Sequence, residues 1–283
     1  MKIVVTGSSG QIGRFVMKDL VAAGHTAIGW DVKPPAEEVG SFERVDITDE
    51  AAVQKGLAQA DAGAVIHLGA WANSGIVSET QTYGDNTRGT FNVFFACAEA
   101  GIKRVVSASS GQVYGLAQAP PLYVPMDEDH PLMPVNAYAH SKVAGEGSAD
   151  YFVANHGMTI LSFRFMGIRA PERLAEDIER VAADPAKGGW LLWTRTDARD
   201  AAAACRLACE AETVESGPYN ITGPRVVLDE DTMTLVRRHF GAGVEVQGLL
   251  PGTTSPLGCA RARQAFAYEP AYAWSVSQQH PVT

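Results

Sequence analysis

Tyr138 and Lys142 stand four residues apart in Tyr138-Ala139-His140-Ser141-Lys142, a spacing that puts a phenol and an ammonium on one helix face. A phenol with its ordinary pKa near ~10 is a poor base at neutral pH. A neighbouring ammonium favours the phenolate. Such a pair can take a proton from a substrate hydroxyl while hydride leaves the same carbon. The spacing alone recurs by chance, and two exposed helix residues would satisfy it equally well. Its weight comes from what precedes it, a glycine-rich turn and then Ser107-Ala108-Ser109-Ser110, where a serine hydroxyl at a strand end could hold the substrate oxygen near the tyrosine.

The turn reads Thr6-Gly7-Ser8-Ser9-Gly10-Gln11-Ile12-Gly13, with its glycines three apart. Gly7 allows a tight turn, Gly10 lets backbone N–H groups approach a pyrophosphate, and Gly13 permits close packing of helix on sheet. The following helix N-terminus adds donors and a favourable dipole. Asp31, 18 residues beyond Gly13, ends the next strand, where a carboxylate can bind both ribose hydroxyls. That carboxylate repels the 2′-phosphate of NADP, so NAD is the expected cofactor, although Lys33 is close by. Asp46, in Val45-Asp46-Ile47-Thr48-Asp49, falls where an adenine edge would bind or where a carboxylate would cap a helix.

These residues need a framework, and the composition supplies one. The chain has 283 residues, 46% apolar and 19% charged, enough for a substantial core. Its net charge of −9, with no cationic run, argues against a nucleic-acid partner. No signal peptide and no apolar run long enough for a membrane span are evident, so a cytoplasmic protein is expected. Four cysteines do not make a disulfide scaffold. Cys205 and Cys209 share a helix face and read as small buried side chains; no metal site is expected.

Strand and helix signals alternate from the start. Strands are expected at 2–6, 26–31, 64–68, 104–107 and 159–165, with helices at 12–23, 50–58, about 87–100 and 137–155. This rhythm implies an α/β fold, a doubly wound parallel-sheet Rossmann fold, with helices on both faces. The proline-rich stretch 116–135 reads as a long loop lining a site. Beyond Arg164 the rhythm weakens, with helices expected at 172–183, 198–211 and 229–240 and a strand at 218–221. The expected division is a core at 1–165, completed by about 190–222, and a small C-terminal substrate-binding lobe from 166–189 and 223–283.

The chain resembles the extended short-chain dehydrogenase/reductases, the NAD-dependent epimerase/dehydratase family. Thr6–Gly13 matches the family's TGxxGxxG, and His67-Leu68-Gly69-Ala70 resembles its HLAA strand end. Asn86-Thr87-Arg88-Gly89-Thr90-Phe91-Asn92-Val93 is similar to NxxGTxNV, Ser107–Gly115 to SSSxxVYG, and Pro134–Lys142 to PxxxYxxSK. The resemblance implies a catalytic triad of Ser110, Tyr138 and Lys142. It also implies a cofactor site drawing on Gly7, Gly10, Gln11, Ile12, Gly13, Asp31, Asp46 and Ile47, then on Leu68, Gly69, Ala70, Asn86, Tyr138, Lys142 and Phe165. Related enzymes often dimerise through the helices that here begin near Thr87 and Ala137, so a homodimer is expected.

One stretch departs from the family pattern. Its nucleotide-sugar enzymes carry RxFNxxGP where this chain reads Arg164-Phe165-Met166-Gly167-Ile168-Arg169-Ala170-Pro171, with Gly167 in place of the substrate-contacting asparagine. The chain is also short for such an enzyme. Both points favour a smaller, sugar-derived substrate, as in uronate and sugar dehydrogenases. Trp71, Asn73, Ser110, Gly111 and Arg173 are the candidate substrate residues, with Arg169 a further cation for a substrate carboxylate. Individually these arginines read more readily as solvated surface residues. Trp190 and Trp193 are expected in the core or an interface, and His67 as a structural histidine. The expected reaction is NAD-dependent oxidation of a sugar-type hydroxyl carbon. Its alternatives are an epimerase that retains its cofactor and a non-catalytic NAD-binding regulator.

Overall fold

The computed structural model describes residues 1–278; the end of the expected C-terminal lobe, 279–283, lies outside the described residues. The first half runs β1 (Lys2–Thr6), α1 (Gly13–Ala22), β2 (Thr26–Asp31), β3 (Ser41–Arg44), α2 (Glu50–Ala60), β4 (Ala64–His67), α3 (Glu79–Glu99), β5 (Arg104–Ser110), β6 (Tyr123–Val124) and α4 (Ala137–His156). The second half runs β7 (Thr159–Phe165), β8 (Ile168–Arg169), α5 (Pro171–Ala183), β9 (Thr196–Asp197), α6 (Ala198–Glu210), β10 (Gly217–Ile221), α7 (Thr232–Phe240), β11 (Glu245–Val246) and α8 (Ala260–Phe266).

Seven strands form one parallel sheet in the order β10-β7-β5-β4-β1-β2-β3. The central strands are apolar on both faces because helices cover both. In β1, Ile3 and Val5 point to the side of α1 and α6, while Val4 points to the side of α2, α3 and α4. Ile66 and Val65 of β4, and Val106 and Val105 of β5, divide in the same way. The doubly wound Rossmann fold expected from the sequence is the fold observed.

A second hydrophobic core lies off the sheet. Leu174, Ile178 and Val181 of α5 join Leu235 and Val236 of α7 around Trp193 and Val226–Leu228. The proline-rich stretch contributes Leu116, Val124 and Met126 to this core. It is therefore packed structure, and its Tyr123–Val124 pairs with Glu245–Val246.

Several boundaries differ from the sequence expectation. Helix α3 begins at Glu79, well before 87, because Ser78 caps it by accepting from the Gln81 amide at 3.2 Å. Strand β5 continues to Ser110, past the apolar residues that signalled it, because its serines stay paired in register with Ser162–Phe165 of β7. Strand β3 and helix α8 were not anticipated, the one a half-exposed edge and the other a single short turn pair. Among the described residues no helix is long and apolar enough to cross a membrane.

Candidate active site

A cleft of about 1070 Å³ opens along the carboxyl ends of the central strands, where ligands of doubly wound sheets bind. Its floor is the glycine turn. Gly7 has φ +69°, and a Cβ there would stand 2.8 Å from the Gly69 amide nitrogen. A Cβ on Gly13 would stand 2.1 Å from the Gly7 carbonyl oxygen, and one on Gly10 3.1 Å from the same atom. Gly7, Gly10, Gln11, Ile12 and Gly13 all face the cleft, and no side chain caps the N-terminus of α1. The N-terminal end of that helix thus presents backbone donors and its dipole to a bound anion.

Asp31 lines the next part of the cleft. Its carboxylate accepts from the Ser9 amide and the Lys33 amide, each at 3.1 Å, which fixes it at the strand end. Asp46 and Ile47 also line this part. The Asp46 carboxylate accepts from the Thr48 amide at 2.9 Å and hydroxyl at 2.8 Å, shaping the turn into α2, whose cap is Asp49. Arg44, opposite Asp31 in the β2–β3 register, lines the cleft as well, whereas Lys33 does not.

Leu68, Gly69, Ala70, Trp71 and Asn73 form the wall after β4. Buried Asn86 ties that wall to α3. Its Oδ1 accepts from the Trp71 amide at 2.8 Å, and its Nδ2 donates to the Trp71 carbonyl and the Ser141 hydroxyl, both at 3.1 Å. The Trp71 indole donates to Asp85 at 2.9 Å.

Ser110, Tyr138, Lys142 and Phe165 meet at the far end. Asn136 caps α4 by accepting from the Ala139 amide at 2.8 Å, which sets Tyr138 in the first turn and Lys142 one turn on. The Tyr138 phenol and the Ser110 hydroxyl stand as neighbours on this end of the cleft. The Lys142 ammonium lies 5.7 Å from the centre of the tyrosine ring and donates to the Ala108 carbonyl at 2.8 Å. Burial pushes the Tyr138 phenol up, and the neighbouring Ser110 hydroxyl partly opposes this. Burial also pulls Lys142 down, to about 8.

Two expected substrate residues are placed elsewhere. Gly111 does not line the cleft; a Cβ there would meet the end of the Met166 side chain at 2.7 Å. Arg173 is exposed on α5 and does not line the cleft, whereas Arg169 does. Trp193 is buried in the second core as expected, but Trp190 sits half-exposed on the cleft wall. Gln112 was missed. Its amide donates to Asn73 at 3.1 Å and accepts from Asn136 at 3.3 Å, linking the wall to the cap of α4. Its place two residues after Ser110 was the available signal.

His67 is a structural histidine. Its ring nitrogens contact the Thr6 hydroxyl at 2.8 Å and the Thr90 hydroxyl at 3.1 Å, and burial holds it neutral with a pKa of about 3. Cys205 and Cys209 are buried against the sheet. Among the described residues no group of three His, Cys, Asp or Glu side chains is placed to hold a metal.

Relatives share this architecture. The chain is 30% identical over 191 residues to the UDP-glucose 4-epimerase of Streptomyces lividans, covering 63% of this chain and 56% of the relative. It is 31% identical over 204 residues to the L-arabinose 1-dehydrogenase (NAD(P)(+)) of Haloferax volcanii, covering 67% and 77%. A uronate dehydrogenase of Pseudomonas putida is 28% identical over 166 residues, covering 58% and 59%. The match spans about half the length of the epimerases it resembles. Among solved structures, a short-chain dehydrogenase/reductase superfamily protein from Agrobacterium tumefaciens with bound NAD superposes with a TM-score of 0.74 at 24% identity, over 99% of this chain and 94% of that one. The sequence profile of the NAD dependent epimerase/dehydratase family matches residues 3–222. The chain, with its glycine turn, its strand-end aspartate and its parallel sheet, belongs to that NAD-dependent family.

Proposed function

We propose that this protein is an NAD-dependent dehydrogenase acting on a hydroxyl carbon of a small sugar-derived substrate. The observation that carries the reading is the convergence of Tyr138 and Ser110 on the cleft wall, with the Lys142 ammonium 5.7 Å from the centre of the tyrosine ring. The cradle fits the cofactor: Gly7 and Gly13 leave no room for a Cβ, and Asp31 is held where it can accept from ribose hydroxyls. When bound, NAD supplies the hydride acceptor and a positive nicotinamide. Ser110 positions the substrate oxygen. Tyr138 takes the hydroxyl proton at its phenolic oxygen, and Lys142 supplies positive charge that favours the phenolate and a donor for the nicotinamide ribose. Residues 166–189 and 223–278 form the substrate-binding side.

Gly167 lines the cleft without a side chain, and Arg169 and Trp190 lie on the same wall. A cation and an aromatic face suit a compact sugar or uronate. The exposed aromatic rings of Phe91 on α3 and Tyr151 on α4 support a homodimer built on these two helices. A cytoplasmic location fits NAD chemistry of this kind.

A second reading, an epimerase that returns the hydride to the other face of a rotated ketone, draws support from the similarity to UDP-glucose 4-epimerases. A panel of aldoses, uronates and nucleotide sugars separates the two. The dehydrogenase reading predicts net NADH formation with a free sugar or uronate. Interconversion of nucleotide sugars without net NADH would replace it with the epimerase.

A further inference from the structure

Tyr138, Lys142, Glu146 and Asp150 recur every four residues along α4, one line of titratable groups leading away from the cleft. Glu146 is deep in this line, with its side chain 12% exposed. It is clamped by two neighbours. Ser109 donates from Oγ to Oε1 at 2.5 Å, while Arg164 donates from Nε to Oε1 at 3.0 Å and from Nη2 to Oε2 at 2.7 Å. Arg164 is fixed in turn, its Nη1 donating to the Tyr114 hydroxyl at 3.1 Å and to the Glu128 carbonyl at 2.8 Å. Lys142 and Glu146 face one another across a polar cavity of about 10 Å³, lined also by Thr90, Ser107, Ser141 and Ser162. That is the size of a single water site.

We propose that Glu146 is a positioning residue for the Tyr138–Lys142 pair, its clamped carboxylate acting as the counter-charge that keeps the buried Lys142 ammonium protonated. The inference rests on the reading of Lys142 as the partner of Tyr138. Lys142 donates to one uncharged acceptor, the Ala108 carbonyl, so the ammonium gains no ion pair from direct contact. The groups facing it from β4, β5 and α3 are neutral: His67, Ser107, Ser109, Ser110, Asn86 and Thr90. From β7 come Ser162 and the cation Arg164, and from α4 the phenol of Tyr138, Ser141, Glu146 and, a further turn away, Asp150. Burial works against the charged lysine, and the Glu146 carboxylate is the attraction that opposes it. Arg164 keeps that carboxylate oriented without itself lining the cavity.

The test is a pH titration of the chain without cofactor, selectively ¹³C-labelled in lysine, following the Lys142 ε-carbon by NMR, with Lys142→Arg to assign its signal. The Lys142 midpoint is expected to fall by about one pH unit in Glu146→Gln and to return most of the way in Glu146→Asp. A Glu146 that merely braces the fold would lower the melting temperature and leave the midpoint where it was, and that result overturns the proposal. Should Glu146→Gln fail to fold, the double variant Glu146→Gln/Arg164→Met removes the buried pair together. Its midpoint is expected below that of the parent chain, because the lost carboxylate lines the cavity and the lost guanidinium does not. A midpoint at or above the parent value overturns the proposal. Full turnover in Tyr138→Phe would instead overturn the underlying reading, and with it any catalytic meaning of Glu146, whatever the midpoint.

Discussion

The phenol of Tyr138, in the first turn of α4, and the hydroxyl of Ser110, the last residue of β5, line the same end of the cleft. A substrate hydroxyl placed against both meets a proton acceptor and a positioning group together. Ser110→Ala is expected to lower kcat by about 10²-fold while calorimetric NAD binding stays unchanged. An equal loss of NAD affinity would mean that Ser110 shapes the cofactor site instead.

Gly13→Ala places a methyl 2.1 Å from the Gly7 carbonyl oxygen and 2.7 Å from Ser8 Cα, both backbone atoms that cannot yield separately. The expected cost is about 1–3 kcal/mol of stability, together with a marked loss of NAD affinity as the turn shifts. Gly84→Ala in α3 is the control. Nothing lies within 4 Å of its added methyl, so a gain of roughly 0.5–1 kcal/mol is expected there from helix propensity. Urea denaturation and calorimetry read both quantities.

Asp31 and Arg44 are register partners at the ends of β2 and β3, and both line the cleft. Replacing the carboxylate removes a ribose-hydroxyl acceptor and unmasks the guanidinium for a 2′-phosphate. Asp31→Ser is expected to weaken NAD binding by about 10-fold, one lost charge-assisted hydrogen bond, and to bring NADP affinity close to that of NAD. Retained discrimination against NADP would show that the preference is set elsewhere.

Lys142 titrates at about 8 in the folded chain against an ordinary 10.5. Between these values the unfolded chain binds the extra proton, so this residue makes stability rise with pH across that window. Below pH 8 the buried ammonium is fully destabilising, by roughly 3 kcal/mol at about 1.4 kcal/mol per pH unit. Lys142→Met should therefore be the more stable protein at pH 7, and the two should converge as the pH passes 10.5. A difference that stays constant with pH would contradict this account.

The parallel sheet was legible because each central strand is an unbroken apolar run, as in Ile3-Val4-Val5 and Ala64-Val65-Ile66. The glycine turn was legible because sterics leave those positions no alternative. Tyr138 and Lys142 stood out by their spacing downstream of the glycine turn and the serine run at 107–110. What escaped was whatever depends on tertiary neighbours. Gly111 looked like a site residue by its place beside Ser110, yet it lies against the end of the Met166 side chain and does not line the cleft. Arg173 and Arg169 are alike in sequence, and only the turn into α5 decides which one faces the cleft. Arg44 becomes a cleft residue through β3, an edge strand with no apolar signature. The polar first turns of α3 hid its start, since the cap at Ser78 rather than hydrophobic period defines it.

Tyr138→Phe removes one oxygen atom from the proposed proton acceptor and leaves the ring and its packing in place. With NAD and the most active sugar or uronate of the panel, NADH formation is expected to fall by about 10³-fold or more, with NAD affinity and melting temperature unchanged. NADH formation at the parent rate in this variant would show that the proton leaves by another group and that Tyr138 is not the base.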